Sequence, residues 1–223
     1  MAQPRQPGEE TRPTISVSAT AQVSAAPDQA TVRLGAVAEA GEAADAQQRI
    51  NAVMQKVLEA VKGLGVPERA IRTDSLSLSP VYSQAQRGDN EPRTPQIIGY
   101  RAVDVVTVDL DDLAKIGAVV DAGIQAGANR LQGISFQIRN DSAARAQALA
   151  QAVREARADA DAVASAMNVR ITGVSSVVAG GYSTRPPQPY VAEAFAAKVA
   201  TPVQPGQVDV SANVSMTYYI EMR

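Results

Sequence analysis

Carboxylates and guanidinium groups make up most of the reactive inventory of this chain, because its 223 residues include no histidine, cysteine or tryptophan. Without imidazole there is no general base titrating near neutrality and no Ser-His-Asp triad. Without a thiol there is no thiolate nucleophile, disulfide, redox switch or iron–sulfur cluster. Zinc is excluded on the same ground, since nearly all its sites use His or Cys. Two common chemistries survive: a hydrolase built on paired carboxylates, and a hard-cation site with oxygen ligands.

The acids can be weighed one group at a time. Asp104 falls at the inward phase of an alternating strand, between Ala102 and Val106. A charge there is costly unless it is paired or hydrogen-bonded. It reads as a buried polar anchor, with Arg33 or Arg101 as a candidate partner. Asp109, Asp111 and Asp112 are close enough to suggest calcium, but lack the central Gly and terminal Glu of an EF-hand loop. Helix capping explains Asp111 better. Glu155, Asp159 and Asp161 share a helix with Arg154 and Arg157. Positions i and i+2 do not face each other, so these acids form a solvated charge lattice and not an acid/base pair. Gly63-Leu64-Gly65 closes a helix where a phosphate site would open one. The expectation is therefore no catalytic residue, no metal ligand and no cofactor.

The elements that position these residues follow from periodicity. Residues 1–13 are polar, carry three prolines, and read as a disordered tail. Ile15, Val17, Ala19, Ala21, Val23 and Ala25 then alternate with Ser, Thr and Gln, which marks a strand. After Pro27-Asp28 a second strand carries Ala30, Val32, Leu34, Ala36 and Ala38. The short turn predicts that these two strands pair as a hairpin. Ile50, Val53, Met54, Val57, Leu58, Val61 and Leu64 switch to helical spacing, giving a helix from about Ala43 to Leu64. A third strand shows Leu76, Leu78 and Tyr82 on one face. A fourth shows Ile98, Tyr100, Ala102, Val106, Val108 and Leu110. Leu113, Ile116, Val120 and Ile124 form the stripe of a second helix, N-capped by Asp111 and ended by Gly127. A fifth strand carries Ile134, Phe136 and Ile138. Asp141 or Ser142 opens a third helix with inner stripe Ala146, Leu149, Val153, Ala156, Ala160, Val163 and Met167. Its alanines predict close packing. A sixth strand spans Val169 to Ala179, and a last one carries Val208 to Ile220.

Strands outnumber helices and are mostly joined as hairpins. That predicts an α+β fold, a largely antiparallel sheet with three helices packed on it. The expected organisation is one domain over 14–222, with long loops at 83–96 and 180–206. The two halves share a strand–strand–helix rhythm without the short period of a solenoid.

Charge and composition narrow the partners. Net charge is -2 and pI ≈ 5.3, with arginines scattered along the chain, so nucleic-acid binding is not expected. No apolar run approaches the roughly 20 residues needed to cross a bilayer. Met1-Ala2-Gln3-Pro4 reads as what remains once a signal peptide is removed, with Met1 added for expression. The 180–206 segment combines many prolines with Tyr182, Tyr190, Val191 and Phe195. An apolar, aromatic arm needs a surface to cover, so these four residues are candidate subunit contacts; a loop folded back on its own domain is the alternative. The Ser/Thr face of the first strand raises a parallel question, between solvent and a channel between subunits.

Several stretches then occur in a familiar order: Pro27-Asp28-Gln29-Ala30, Ile98-Gly99-Tyr100-Arg101-Ala102, Val105 to Leu110, Gly127-Ala128-Asn129, Ile134-Ser135-Phe136, Ala148-Leu149-Ala150, and Pro205-Gly206 before the last strand. Together, over Thr14 to Ile220, they resemble the bacterial SIMPL-domain family of periplasmic and envelope proteins. The resemblance implies an α+β domain exported to the periplasm, no known catalytic residues, no established cofactor, and ring or cage homo-oligomers with a channel-like interior. Asp104 departs from the Asn more usual there. The resulting expectation is a non-enzymatic, self-associating periplasmic protein, not transmembrane, serving cell-envelope integrity or oxidative-stress tolerance. The rival is a monomeric binding module for an envelope protein or peptide.

Overall fold

The computed structural model describes residues 12–83, 95–185 and 203–222. Strict alternation of apolar and polar side chains produces β1 (Thr14–Ala25), while a more continuous apolar run makes β2 (Gln29–Ala40). There follow α1 (Ala43–Gly63), a 3₁₀ turn at Glu68–Ala70, β3 (Ile71–Tyr82), β4 (Ile97–Leu110), a 3₁₀ turn at Leu113–Lys115, α2 (Ile116–Gln125), β5 (Arg130–Gln137), α3 (Ser142–Ala166), β6 (Val169–Arg185) and β7 (Val208–Met222). The α+β class expected from the sequence is the one observed. The strands form two antiparallel sheets, β1–β7–β6 and β3–β4–β2–β5. Contacts divide the chain into two compact units, one around each sheet.

One expected hairpin is absent: β1 pairs with β7, and β2 pairs with β4 and β5. The turn between them is held elsewhere. Asp28 donates its backbone N–H to the Gln137 carbonyl (3.2 Å), and its carboxylate accepts from the Arg139 N–H (2.7 Å). The Pro27-Asp28 turn signal is real, but it docks β2 beside β5 instead of folding it back on β1.

In the first unit, register places Ile15 opposite Tyr218, Ala19 opposite Val214 and Ala21 opposite Ala212. The resulting apolar face is covered by α3. The buried residues of α3 are Ala144, Ala148, Ala152, Ala156, Ala160 and Ala164, every fourth residue. A row at that spacing follows an i±4 ridge inclined about 26° to the helix axis. Alanine lets the backbone lie close along that ridge. The expected stripe is thus corrected: Ala156 and Ala160 belong to it and Leu149 and Val153 flank it, whereas Ala146, Val163 and Met167 are exposed. Arg157 lies over the buried Tyr218 ring, 5.2 Å from its centroid.

In the second unit, α1 and α2 cover a face made by Ala30, Val32, Leu34 and Ala36 with Val106, Val108 and Leu110. Helix α1 contributes Ala46, Ile50, Met54, Val57 and Val61. It ends where Gly65, at φ +79°, donates to the Lys62 carbonyl (2.9 Å). Helix α2 sits so close to β2 that a Cβ at Gly123 would stand 2.8 Å from Leu34 Cδ1. Asp111 does not cap it: a 3₁₀ turn precedes the helix, and that turn is capped by Asp112, whose carboxylate accepts from Ala114 N (3.1 Å), while α2 itself begins after Lys115 without a side-chain cap. Ile124, expected on the inner stripe, is 52% exposed. Asn129 accepts from the Val37 N–H (2.8 Å) and donates to its carbonyl (3.0 Å), so an amide side chain stands in for a ladder rung.

Candidate association surfaces and the buried Asp104

Asp104 sits on β4 opposite Ala36 of β2 and Leu76 of β3. Ala102 and Val106 precede and follow it on the same face. Its side chain is half-buried, yet Oδ1 is shut off from solvent and has no hydrogen-bond partner among the described residues. Burial pushes its carboxyl above the ordinary 3.8, with the Val105 backbone N–H acting in the opposite direction. Neither expected arginine reaches it. Arg101 pairs with Glu39 at 2.6 Å, and Arg33 stands opposite Thr107 on the other face of the sheet.

The same face of β3 and β4 runs outward into solvent. Leu76, Leu78, Tyr82 and Ile98, expected against the core, are 56%, 43%, 53% and 63% exposed. Beside them Ile97 is also exposed. The alternation holds for Leu76, Leu78 and Ile98, but β3 is the edge strand of its sheet and Ile98 lies past the end of β2, so the core does not cover them.

A second exposed apolar surface lies in the other unit. β6 is an edge strand, and it continues past Ala179 to Arg185 where a loop was expected. Val174, Val177, Val178 and Tyr182 are each about half exposed along it. Three register shifts against β7 interrupt its pairing, at 171/173, 174/176 and 179/182. Tyr182 is held by the start of α3: the Arg145 guanidinium lies 5.1 Å from its ring centroid and pairs with Asp141 at 2.7 Å. Tyr190, Val191 and Phe195 lie outside the described residues. Val174, Val177 and Val178 were not singled out from the sequence. The adjacent Val177-Val178, which breaks alternation on an edge strand, is the signal that could have found them.

The hydroxyl face of the same sheet is internally bonded in part. Ser16 and Thr217 share a hydrogen bond (3.1 Å), Ser24 donates to Asp209 (2.6 Å), and Asn213 donates to Thr20 (3.0 Å).

Most of the remaining acids weighed above have local partners, whereas Asp159 is exposed and makes no hydrogen bond or ion pair among the described residues. Asp109 pairs with Arg72 (3.1 Å) and accepts from Thr31 (2.8 Å). Asp111 pairs with Arg139 and accepts from Gln29 (3.1 Å). Glu155 accepts from Gln151 (3.0 Å), and Asp161 pairs with Arg157 (2.9 Å). Of the methionines expected in the core, Met54 and Met216 are buried while Met167 is 58% exposed.

Two antiparallel sheets, each with its helices on one face, define an α+β protein in which Asp109, Asp111 and Asp161 are ion-paired and the strand surfaces carry unburied apolar side chains. Residues 15–218 match the family model described as "SIMPL: Protein of unknown function (DUF541)", and the chain belongs to that family. It is 31% identical over 175 residues to the 26 kDa periplasmic immunogenic protein of Brucella melitensis, covering 78% of this chain and 68% of that protein. It is 29% identical over 165 residues to the uncharacterized protein YggE of Edwardsiella ictaluri, covering 74% and 67%. Its identity to YggE of Escherichia coli is 27% over 165 residues, covering 74% and 65%. Among the described residues no helix is long and apolar enough to cross a membrane.

Proposed function

We propose that this chain is a non-enzymatic protein of the periplasm that self-associates and serves envelope integrity or stress tolerance. The observation that carries the reading is the exposure of large apolar side chains along two strand surfaces, Leu76, Leu78 and Ile98 on one and Val174, Val177 and Val178 on the other. Water contact at such surfaces is relieved when another chain covers them, and β6 as an edge offers unpaired backbone groups as well. The compartment is supported by the printed name of the Brucella relative, which calls that protein periplasmic. A stress role would run through assembly and not thiols, as the chain has none.

The test is mass in solution. Native mass spectrometry and light scattering at micromolar concentration are expected to show an oligomer, and deleting Tyr190 to Ala200 is expected to shift it toward monomer. A strict monomer overturns the reading. It would favour a monomeric module that accepts an added strand on the β6 edge from an envelope protein or peptide.

A further inference from the structure

The second unit holds a cleft of about 440 Å³ where the end of α1, the Glu68–Ala70 turn, the end of β4 and the Leu113–Lys115 turn converge. Val66, Pro67, Ala70 and Leu110 supply an apolar lining. Its charges are unevenly matched. Two of the three aspartates of the rim are ion-paired, Asp109 with Arg72 and Asp111 with Arg139, while Asp112 caps the Leu113–Lys115 turn by accepting from the Ala114 N–H and keeps its charge uncompensated among the described residues. Against that one acid, two cations of the same lining, Arg69 and Lys115, are not ion-paired among the described residues. Arg69 makes no hydrogen bond or ion pair among the described residues, because its neighbour Glu68 is held by Lys62 at 2.7 Å. The Lys115 ammonium donates to the Leu64 carbonyl (3.2 Å), a neutral acceptor that leaves two of its three donors unused.

The backbone helps hold Lys115 there. Gly65 occupies the left-handed region, and the Cβ of any other residue would stand 3.7 Å from Lys115 Nζ. That is an ordinary van der Waals distance, so what holds the ammonium beside this segment is the hydrogen bond to the Leu64 carbonyl. A cavity of this size accommodates a ligand of about dipeptide dimensions.

We propose that this cleft binds a small ligand carrying an oxyanion, a carboxylate or a phosphate, beside a short apolar body. The oxyanion is matched to Arg69 and Lys115, and the apolar body to Val66, Pro67 and Ala70. The inference is independent of self-association.

Calorimetric titration of the full chain at about 0.15 M ionic strength, where isolated surface charges are screened, tests it. The probes are inorganic phosphate, N-acetylalanine, and N-acetylalanine amide as the uncharged control. Saturable binding is expected for at least one of the two anions and not for the amide; which anion binds identifies the source. Arg69→Gln and Lys115→Gln are each expected to weaken it about tenfold, the loss of one charge-assisted hydrogen bond. Lys56→Gln, on the exposed side of α1, is expected to leave it unchanged. Arg69 has no partner among the described residues to lose, so its variant keeps the readout clear of misfolding. Absence of saturable binding to both anions, or equal weakening by Lys56→Gln, overturns the proposal.

Discussion

Replacing Ala156 by Leu tests the packing of α3 directly. Ala156 is fully buried, in the middle of the alanine row that α3 lays against β1 and β7. Two positions further along the same helix, Ala158 is exposed. Leu and Ala have similar helix propensity, so propensity nearly cancels between the two sites. Adding three carbons to a close-packed site costs about 1–3 kcal/mol through displaced rotamers and backbone. The same change at an exposed site stays within about 0.5 kcal/mol. The opposite substitution gives an independent figure. Ala158→Gly loses about 1 kcal/mol of propensity alone, whereas Ala156→Gly loses that plus about 0.8 kcal/mol for the buried methyl. Urea denaturation followed by circular dichroism, with slopes compared among the four variants, reads all of these. Equal stabilities for Ala156→Leu and Ala158→Leu would refute the reasoning, since α3 would then not approach the sheet on this row.

Asp104→Asn is expected to stabilise the chain at pH 7. The folded carboxyl titrates above 3.8, so its stabilising contribution is complete below 3.8 and is lost as pH rises through the folded value. Asn keeps the acceptor but removes the charge that burial disfavours; partial exposure screens that penalty and holds the gain to about 1 kcal/mol or less, shrinking below pH 3.8, and denaturation at both pH values measures it. Gly35→Ala is expected to cost at least about 2 kcal/mol by overpacking, because its Cβ would stand 2.6 Å from the Asp104 carbonyl oxygen and 2.9 Å from Val105 Cγ2. Gly41→Ala, with nothing within 4 Å, is the matched control for the same melts. Val178→Lys is expected to lower the oligomer fraction by light scattering while leaving the unfolding free energy within about 0.5 kcal/mol of the parent, since the side chain is 60% exposed.

Local pattern was legible wherever one residue type dominates a face. The alternation from Ile15 to Ala25 and the 3.6 period through Ile50, Met54, Val57 and Val61 both correspond to observed elements. Pairing was less legible. The β1–β7 ladder joins residues about two hundred positions apart, and nothing within β1 names its partner. The Pro27-Asp28 turn suggested a local solution that two hydrogen bonds to the end of β5 override. The stripe on α3 was mis-phased because larger side chains such as Val163 and Met167 attract a pattern-based reading, while the contact is made by the smallest ones. Asp104 was legible as an inward charge; its lack of a partner was not, since both candidate arginines are excluded only by register.

The exposure of Leu76 and Leu78 follows from the place of β3 at the edge of its sheet. Ala102 of β4, directly opposite Leu78, is fully buried, and Tyr100 beyond it still packs on the core. The cover therefore reaches β4 along this stretch and leaves β3 beside it bare. Ile98 lies past the level of Ala40, the last residue of β2, where β4 overhangs its neighbour. Sequence alternation continues into both bare regions unchanged. Periodicity therefore identifies the apolar face but not where its cover stops. Asp104 lies opposite Leu76, at the border between the covered and bare parts of this face. A chain docking on the bare part would remove further water from the Asp104 carboxylate, which raises its titration point again. Self-association through this surface should then strengthen as pH falls, and Asp104→Asn should flatten that dependence. Light scattering of the parent and variant across pH 4 to 8 measures both; an oligomer whose pH response is the same in the two would exclude this face as the interface.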